Sequence, residues 1–181
     1  MEYTVKYITK YLKKTLDNIT YKLYNNITIG ENIMNDSNYE FLQKILYPLE
    51  YKTDYIKTYY KFNSELKNII EKSGYKKQFT VKYFKSLKFL ISLKRNCIQQ
   101  SKLFEKLINV DYDLYSIKLH GKNKNIRIIF IFMEVEGEEI VLLLNSFEEK
   151  AKKDYYNSIS IAYERIKSIK WNLLEGEYYD R

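Results

Sequence analysis

The 181-residue chain is short of the residues that most enzymes build sites from: one cysteine, one histidine, one proline, one tryptophan and five glycines. A single cysteine, Cys97, excludes an intramolecular disulfide and a cysteine-based metal site, and agrees with a reducing, cytoplasmic setting. A single histidine, His120, excludes a His-pair metal centre and a two-histidine acid–base mechanism. So few glycines leave no GxxxxGK[ST] phosphate loop and no GxGxxG turn, so neither fingerprint of nucleotide binding is present. Long apolar runs are missing as well. "IIFIFM" (128–133) and "IVLLL" (140–144) are far too short to span a bilayer, and charges interrupt the amino-terminal stretch where a signal peptide would be apolar. No metal, cofactor or membrane is expected.

What the chain has instead is lysine and tyrosine. The net charge of +8 and pI near 9.2 suit an anionic partner, although a bias toward Lys, Asn, Ile and Tyr runs through the whole sequence and accounts for part of it. Apolar content of 45% provides for a real core.

The apolar positions recur with helical period over residues 5–23, with Gly30 breaking the pattern beyond. "NYEFLQKILY" reads as a second short helix stopped by Pro48, so residues 1–50 form an expected helical extension. From residue 51 the chain reads as one domain to residue 181. "DYIKTYYKF" (54–62) has strand residues, Asn63 is placed to cap a helix ended by Gly74, and Phe79–Lys94 carries a clear helical stripe. "SKLFEKLI" is expected to continue as helix. The period then falls to two over 114–121, 125–135 and 138–147, three strands of which the last two are apolar on both faces. A final helix follows, with Asp154 at its start and Tyr155, Ile159, Ala162, Ile166 and Ile169 as its stripe. The expected architecture is α+β: an antiparallel or mixed sheet of about four strands, with helices packed on one face.

The chemistry left to such a chain is basic. Lys118, His120, Lys122 and Lys124 fall on one strand and its turn, Arg127 on the next strand, and Lys150, Lys152 and Lys153 after the last. Arg127 stands apart, because only four arginines exist and this one lies inside an apolar strand, in step with Ile129 and Ile131. A guanidinium there is costly unless paired or in a cleft, so it is either the partner of a glutamate or an anion clamp. The glutamates at 134, 136, 138 and 139, in and beside a hairpin turn, and Glu148 and Glu149 read as solvated charge.

The ordered set "LYSIKLHG", "NIRIIFIF", "EEIVLLLNSFEEKAKKDYY" and "SIAYERIK" resembles the RelE/ParE toxin superfamily, in its phage-related, HigB-like branch. The resemblance covers about residues 75–170 and more loosely 51–74; residues 1–50 lie outside it. It implies a RelE-like fold and a toxin encoded beside a helix-turn-helix type antitoxin, with mRNA on the ribosome as target. Cleavage there needs no metal, because the RNA 2′-hydroxyl attacks the adjacent phosphate while the protein positions it and stabilises charge. By that resemblance Arg127 stabilises the scissile phosphate, Lys150 binds it, and Lys118 and His120 occupy acid–base positions. Lys122, Lys124, Lys153 and Lys85 are the further RNA-binding candidates. The chain departs from the family pattern where "SIKLHG" replaces an arginine-bearing strand end and where "EEK" replaces a lysine pair. It offers no clear counterpart of a carboxy-terminal catalytic tyrosine. Relatives that act on DNA gyrase leave an alternative open, a non-catalytic protein of the same fold that works by protein–protein binding.

Overall fold

The computed structural model describes residues 42–135 and 138–175. The helical pattern expected over residues 5–23 lies outside them. The described residues form a six-stranded mixed sheet and three α-helices. In chain order these are β1 (Leu42–Gln43), β2 (Ile56–Tyr59), α1 (Phe62–Glu71), α2 (Lys76–Leu93), β3 (Phe104–Lys106), β4 (Leu114–His120), β5 (Asn125–Val135), β6 (Glu138–Glu149) and α3 (Lys152–Glu175). A 3-10 segment, Lys94–Gln99, follows α2.

The sheet order is β1-β2-β6-β5-β4-β3. Strands β3 to β6 form an antiparallel meander. β2 instead runs parallel to β6, with Ile56 opposite Val141 and Thr58 opposite Leu143. A parallel pair needs a long crossover, which everything from α1 to β5 supplies. The six strands exceed the four expected because two short segments at the sheet edges carry no usable period.

Two of those edge segments correct the sequence reading. Leu42–Gln43 pairs antiparallel with Tyr59 and Thr58, and Ile45 bridges to Tyr51, so the described end of "NYEFLQKILY" is extended. Ile45 is also fully buried and, with Tyr47, joins the core, whereas Leu46 and Leu49 are exposed. "SKLFEKLI" likewise contains β3, where Phe104 stacks edge-on to Phe130 and Glu105 pairs with Ser116. In both places a partner strand overrides a helix-like spacing.

Asn63 lies inside α1 rather than at its cap. Its Oδ1 accepts from Leu46 N (2.9 Å), and its Nδ2 donates to Lys44 O (3.0 Å) and Thr58 Oγ1 (3.1 Å). One carboxamide thus ties the segment after β1 to the first turn of α1. Gly74 ends the α1 region as expected, with φ +76° in the left-handed region. Asp154 sits in the first turn of α3, and its carboxylate reaches back to the backbone N–H groups of Lys150 (3.1 Å) and Ala151 (2.8 Å).

The helices do not share one face of the sheet. Tyr155 of α3 lies by Arg127, whereas Arg95, just after α2, lies over Phe132. Residues 127 and 132 of one strand differ in parity and point to opposite faces. Strands apolar on both sides require exactly such double cover: Ile128, Ile129 and Phe130 are all fully buried. A bulge opposite Ile129 and Phe130 leaves Leu144 outside the ladder, between Leu143 and Asn145. Its carbonyl accepts from Arg165 Nη1 (2.5 Å), and the same guanidinium grips both Glu65 oxygens and covers the Tyr59 ring. Arg165 therefore joins α3, α1, β2 and β6.

Replacing Asn63 with Ala takes the side-chain acceptor from the Leu46 amide and leaves the Lys44 carbonyl only the Thr58 hydroxyl at 3.4 Å, and is expected to cost about 2 kcal/mol. Urea unfolding gives the magnitude; hydrogen exchange at Leu46 gives the location, and an unchanged Leu46 protection would contradict the tether.

Candidate functional site

Arg127 is held from both sides. Its Nε donates to Glu149 Oε2 at 2.8 Å, its Nη1 donates to Glu105, and the Tyr155 ring lies 5.6 Å from its guanidinium carbon. Its side chain is 13% exposed. Burial opposes its charge, but the hydrogen bonds to Glu149 and Glu105 outweigh that and hold its pKa above the ordinary arginine value. Of the two possibilities left by the sequence, this is the glutamate partner: a phosphate reaching Arg127 would have to displace two carboxylates.

Register explains the grouping. Lys118, Arg127 and Phe147 stand opposite one another across β4, β5 and β6, so they share the face covered by α3. Glu149 is opposite Asn125, two residues along on that face, and Glu105 comes from β3 at the sheet edge. Tyr155 packs edge-on to Phe147 with ring centroids 6.1 Å apart. Burial first, then the charge of Glu105, push its phenol up to about 12, so it is a neutral hydroxyl near pH 7.

Of the other sequence candidates, Lys118 alone is placed beside Arg127 by the register, as its cross-strand neighbour. Lys150 is largely exposed and directs its ammonium to Glu148 (3.7 Å). Lys124 meets the same carboxylate (3.7 Å). Glu148 is opposite Ile126, on the face away from Arg127, so Lys150 belongs to a different cluster from the one expected. His120 ends β4, exposed, with Nδ1 3.2 Å from Asn125 Oδ1. Lys122 is exposed in the β4–β5 turn, and Lys153 is exposed in the first turn of α3. Lys85 is exposed on α2.

That turn is pinned to α2. Lys82 donates to the His120 carbonyl, and Asn123 Nδ2 donates to Tyr75 Oη (3.2 Å). A Cβ on Gly121 would lie 2.6 Å from the Lys124 carbonyl and 2.6 Å from the Phe79 ring, so only glycine fits between strand turn and helix.

A Cys97–His120 pair is excluded by position. Cys97 is fully buried, and burial, then the charge of Glu139, push its thiol up to about 12. Glu139 is opposite Glu134, whereas His120 is opposite Asn125, toward the other end of β5. Among the described residues no cluster of His, Cys, Asp or Glu could hold a metal, and no helix is long and apolar enough to cross a membrane.

The residues missed by sequence reasoning are Glu105 and Glu149. Glu149 reads as solvated charge in the sequence because nothing local places it beside Arg127; only the strand register does. Glu105 was hidden by the helical reading of its segment.

No family model matches the chain, and no curated protein or solved structure is significantly similar to it.

Two outcomes follow from this geometry. Arg127→Ala strands Glu105 and Glu149 beside a partly buried face and is expected to lower unfolding free energy by about 2 kcal/mol, discounted for the exposure of the two carboxylates. Glu149→Gln, which keeps one ion pair, costs less; equal stability of Arg127→Ala and wild type in denaturant would contradict the pairing. Cys97, its folded pKa raised, stays a protonated thiol through pH 8, so it resists alkylation by iodoacetamide until denaturant is added. Rapid labelling of the native protein would show that the thiol is neither buried nor protonated.

Proposed function

We propose that the chain is a toxin-type protein of the RelE/ParE architecture, partnered by an antitoxin, and that it acts by binding its macromolecular target. The supporting observation for the architecture is the crossover of β2, α1 and α2 to a β4–β5–β6 meander, with β2 parallel to β6 and a helix trailing behind. That is the element order implied by the resemblance of "LYSIKLHG", "NIRIIFIF" and the segment after them. The mode of action rests on Arg127, the group that cleavage would need most. It is committed to Glu105 and Glu149, which favours protein–protein or other binding over phosphate chemistry at that position.

A second reading, a ribosome-dependent mRNA endoribonuclease, is favoured by the cross-strand neighbourhood of Lys118 and Arg127, with the exposed His120 at the end of the same strand. In that reading substrate binding exchanges the two carboxylates for the scissile phosphate, and Lys118 supplies further charge to the transition state. Both readings place the protein in the cytoplasm.

Inducible expression in a bacterial host, with growth and mRNA 5′ ends followed together, separates them. The binding reading expects growth arrest by the wild type without new mRNA ends, and arrest retained in a soluble Lys118→Gln/His120→Gln variant. New ends that appear with the wild type and vanish in that variant would establish cleavage instead. Absence of arrest by a soluble wild-type protein would overturn the toxin assignment.

A further inference from the structure

The positive charge of this protein is concentrated in one place. From Lys72 to Phe104 the sequence contains no aspartate or glutamate and nine cations: Lys72, Lys76, Lys77, Lys82, Lys85, Lys88, Lys94, Arg95 and Lys102. The whole chain has 31 Lys and Arg against 23 Asp and Glu, so outside this stretch 22 cations stand against 23 acids. The net charge of +8 thus belongs to α2 and the turns beside it.

The structure separates the buried from the outward side of α2. Phe79, Tyr83, Leu87 and Leu90 are fully buried. Lys77, Val81, Lys85, Lys88 and Ser92 are exposed, at steps of four, four, three and four that align them along one face. From Lys77 to Lys88 that face runs about 16 Å at the usual helical rise. Among the described residues none of Lys77, Lys85 and Lys88 forms an ion pair, whereas Lys76 is paired with Glu71 (2.7 Å) and Arg95 with Glu139. The β4–β5 turn, fixed to α2 through the Lys82–His120 and Asn123–Tyr75 bonds, brings the exposed Lys122 toward the amino-terminal end of the helix.

We infer that the outward face of α2 is a docking surface for the phosphate backbone of a nucleic acid, separate from the Arg127 cluster. The 3-10 continuation of α2 lies on the opposite side of the sheet from Arg127, so this surface stands independently of what Arg127 does. Charge complementarity identifies the occupant. A row of ammonium groups on a rigid helix, without carboxylate partners among the described residues and with Lys85 over the Phe89 ring, matches a regular line of phosphates and releases their counterions. A protein partner would require an apolar or aromatic centre to the interface, and Val81 is the only large apolar side chain exposed on this face. Lysines without arginine forks contact phosphate rather than read bases, so the binding is insensitive to sequence.

The test compares full-length wild type with Lys77→Gln/Lys85→Gln/Lys88→Gln and with a control of equal charge, Lys52→Gln/Lys67→Gln/Lys167→Gln, all exposed positions elsewhere. Fluorescence anisotropy reads the affinity for a labelled single-stranded RNA of mixed sequence across a salt series, with poly-glutamate as the acidic-polypeptide probe. The α2 variant is expected to bind at least about tenfold more weakly, and its slope of log K against log salt is expected to fall by about 2, near 0.7 for each lysine removed. The control variant keeps most of the wild-type slope. Equal losses in the two variants would show diffuse charge instead of a surface, and poly-glutamate binding as tight as RNA would show an acidic-protein site; either result overturns the proposal, as does a wild type that does not bind RNA. Growth arrest plays no part in the readout, so the outcome is independent of the toxin reading.

Discussion

Strands β5 and β6 present apolar side chains on both faces, and the need to cover both faces organises the molecule. Ile128 and Phe130 on one side and Ile129 on the other are fully buried, as are Val141 and Leu143. A two-sided apolar centre cannot be a surface hairpin; it has to be the middle of a sheet with helices above and below. β4 and β2 flank the pair, α3 covers the face of Arg127, and the segment after α2 lies on the other. The lone bulge is used in the same economy. It turns the Leu144 carbonyl out of the ladder, and Arg165 takes it while holding Glu65.

The two chemically distinct basic regions follow from the same arrangement. One arginine stands on the α3-covered face, where desolvation makes pairing obligatory, and two carboxylates from β3 and β6 provide it. The exposed lysines of α2 lie on a helix whose inner side is fully used by the core, so their charge is turned to solvent. A half-buried guanidinium that is neutralised and an exposed ammonium row that is not have different uses. The first organises the sheet edge and competes with any incoming anion, and the second can attract one at a distance.

Glutamates 148 and 149 show how much one residue of strand geometry matters. They are adjacent, yet one meets Lys124 and Lys150 and the other meets Arg127 across the sheet. A resemblance that counts residues along the chain puts Lys150 beside Arg127. Strand alternation, together with the register, separates them.

The sequence by itself determined the elements whose own period is strong: the α2 stripe, the two doubly apolar strands, the glycine ending the α1 region and the stripe of α3. It also determined the exclusions, since one cysteine and one histidine leave no room for the corresponding chemistries. It could not determine β1 and β3, because two or three residues of strand carry no period and exist only through hydrogen bonds to Tyr59, Thr58 and the β4 backbone. Strands apolar on both sides already required cover above and below, but which helix takes which face was decided by tertiary structure. The state of Arg127 was decided by tertiary structure alone. Its partners lie 22 residues away in each direction, at Glu105 and Glu149, and only sheet register brings them within hydrogen-bonding distance.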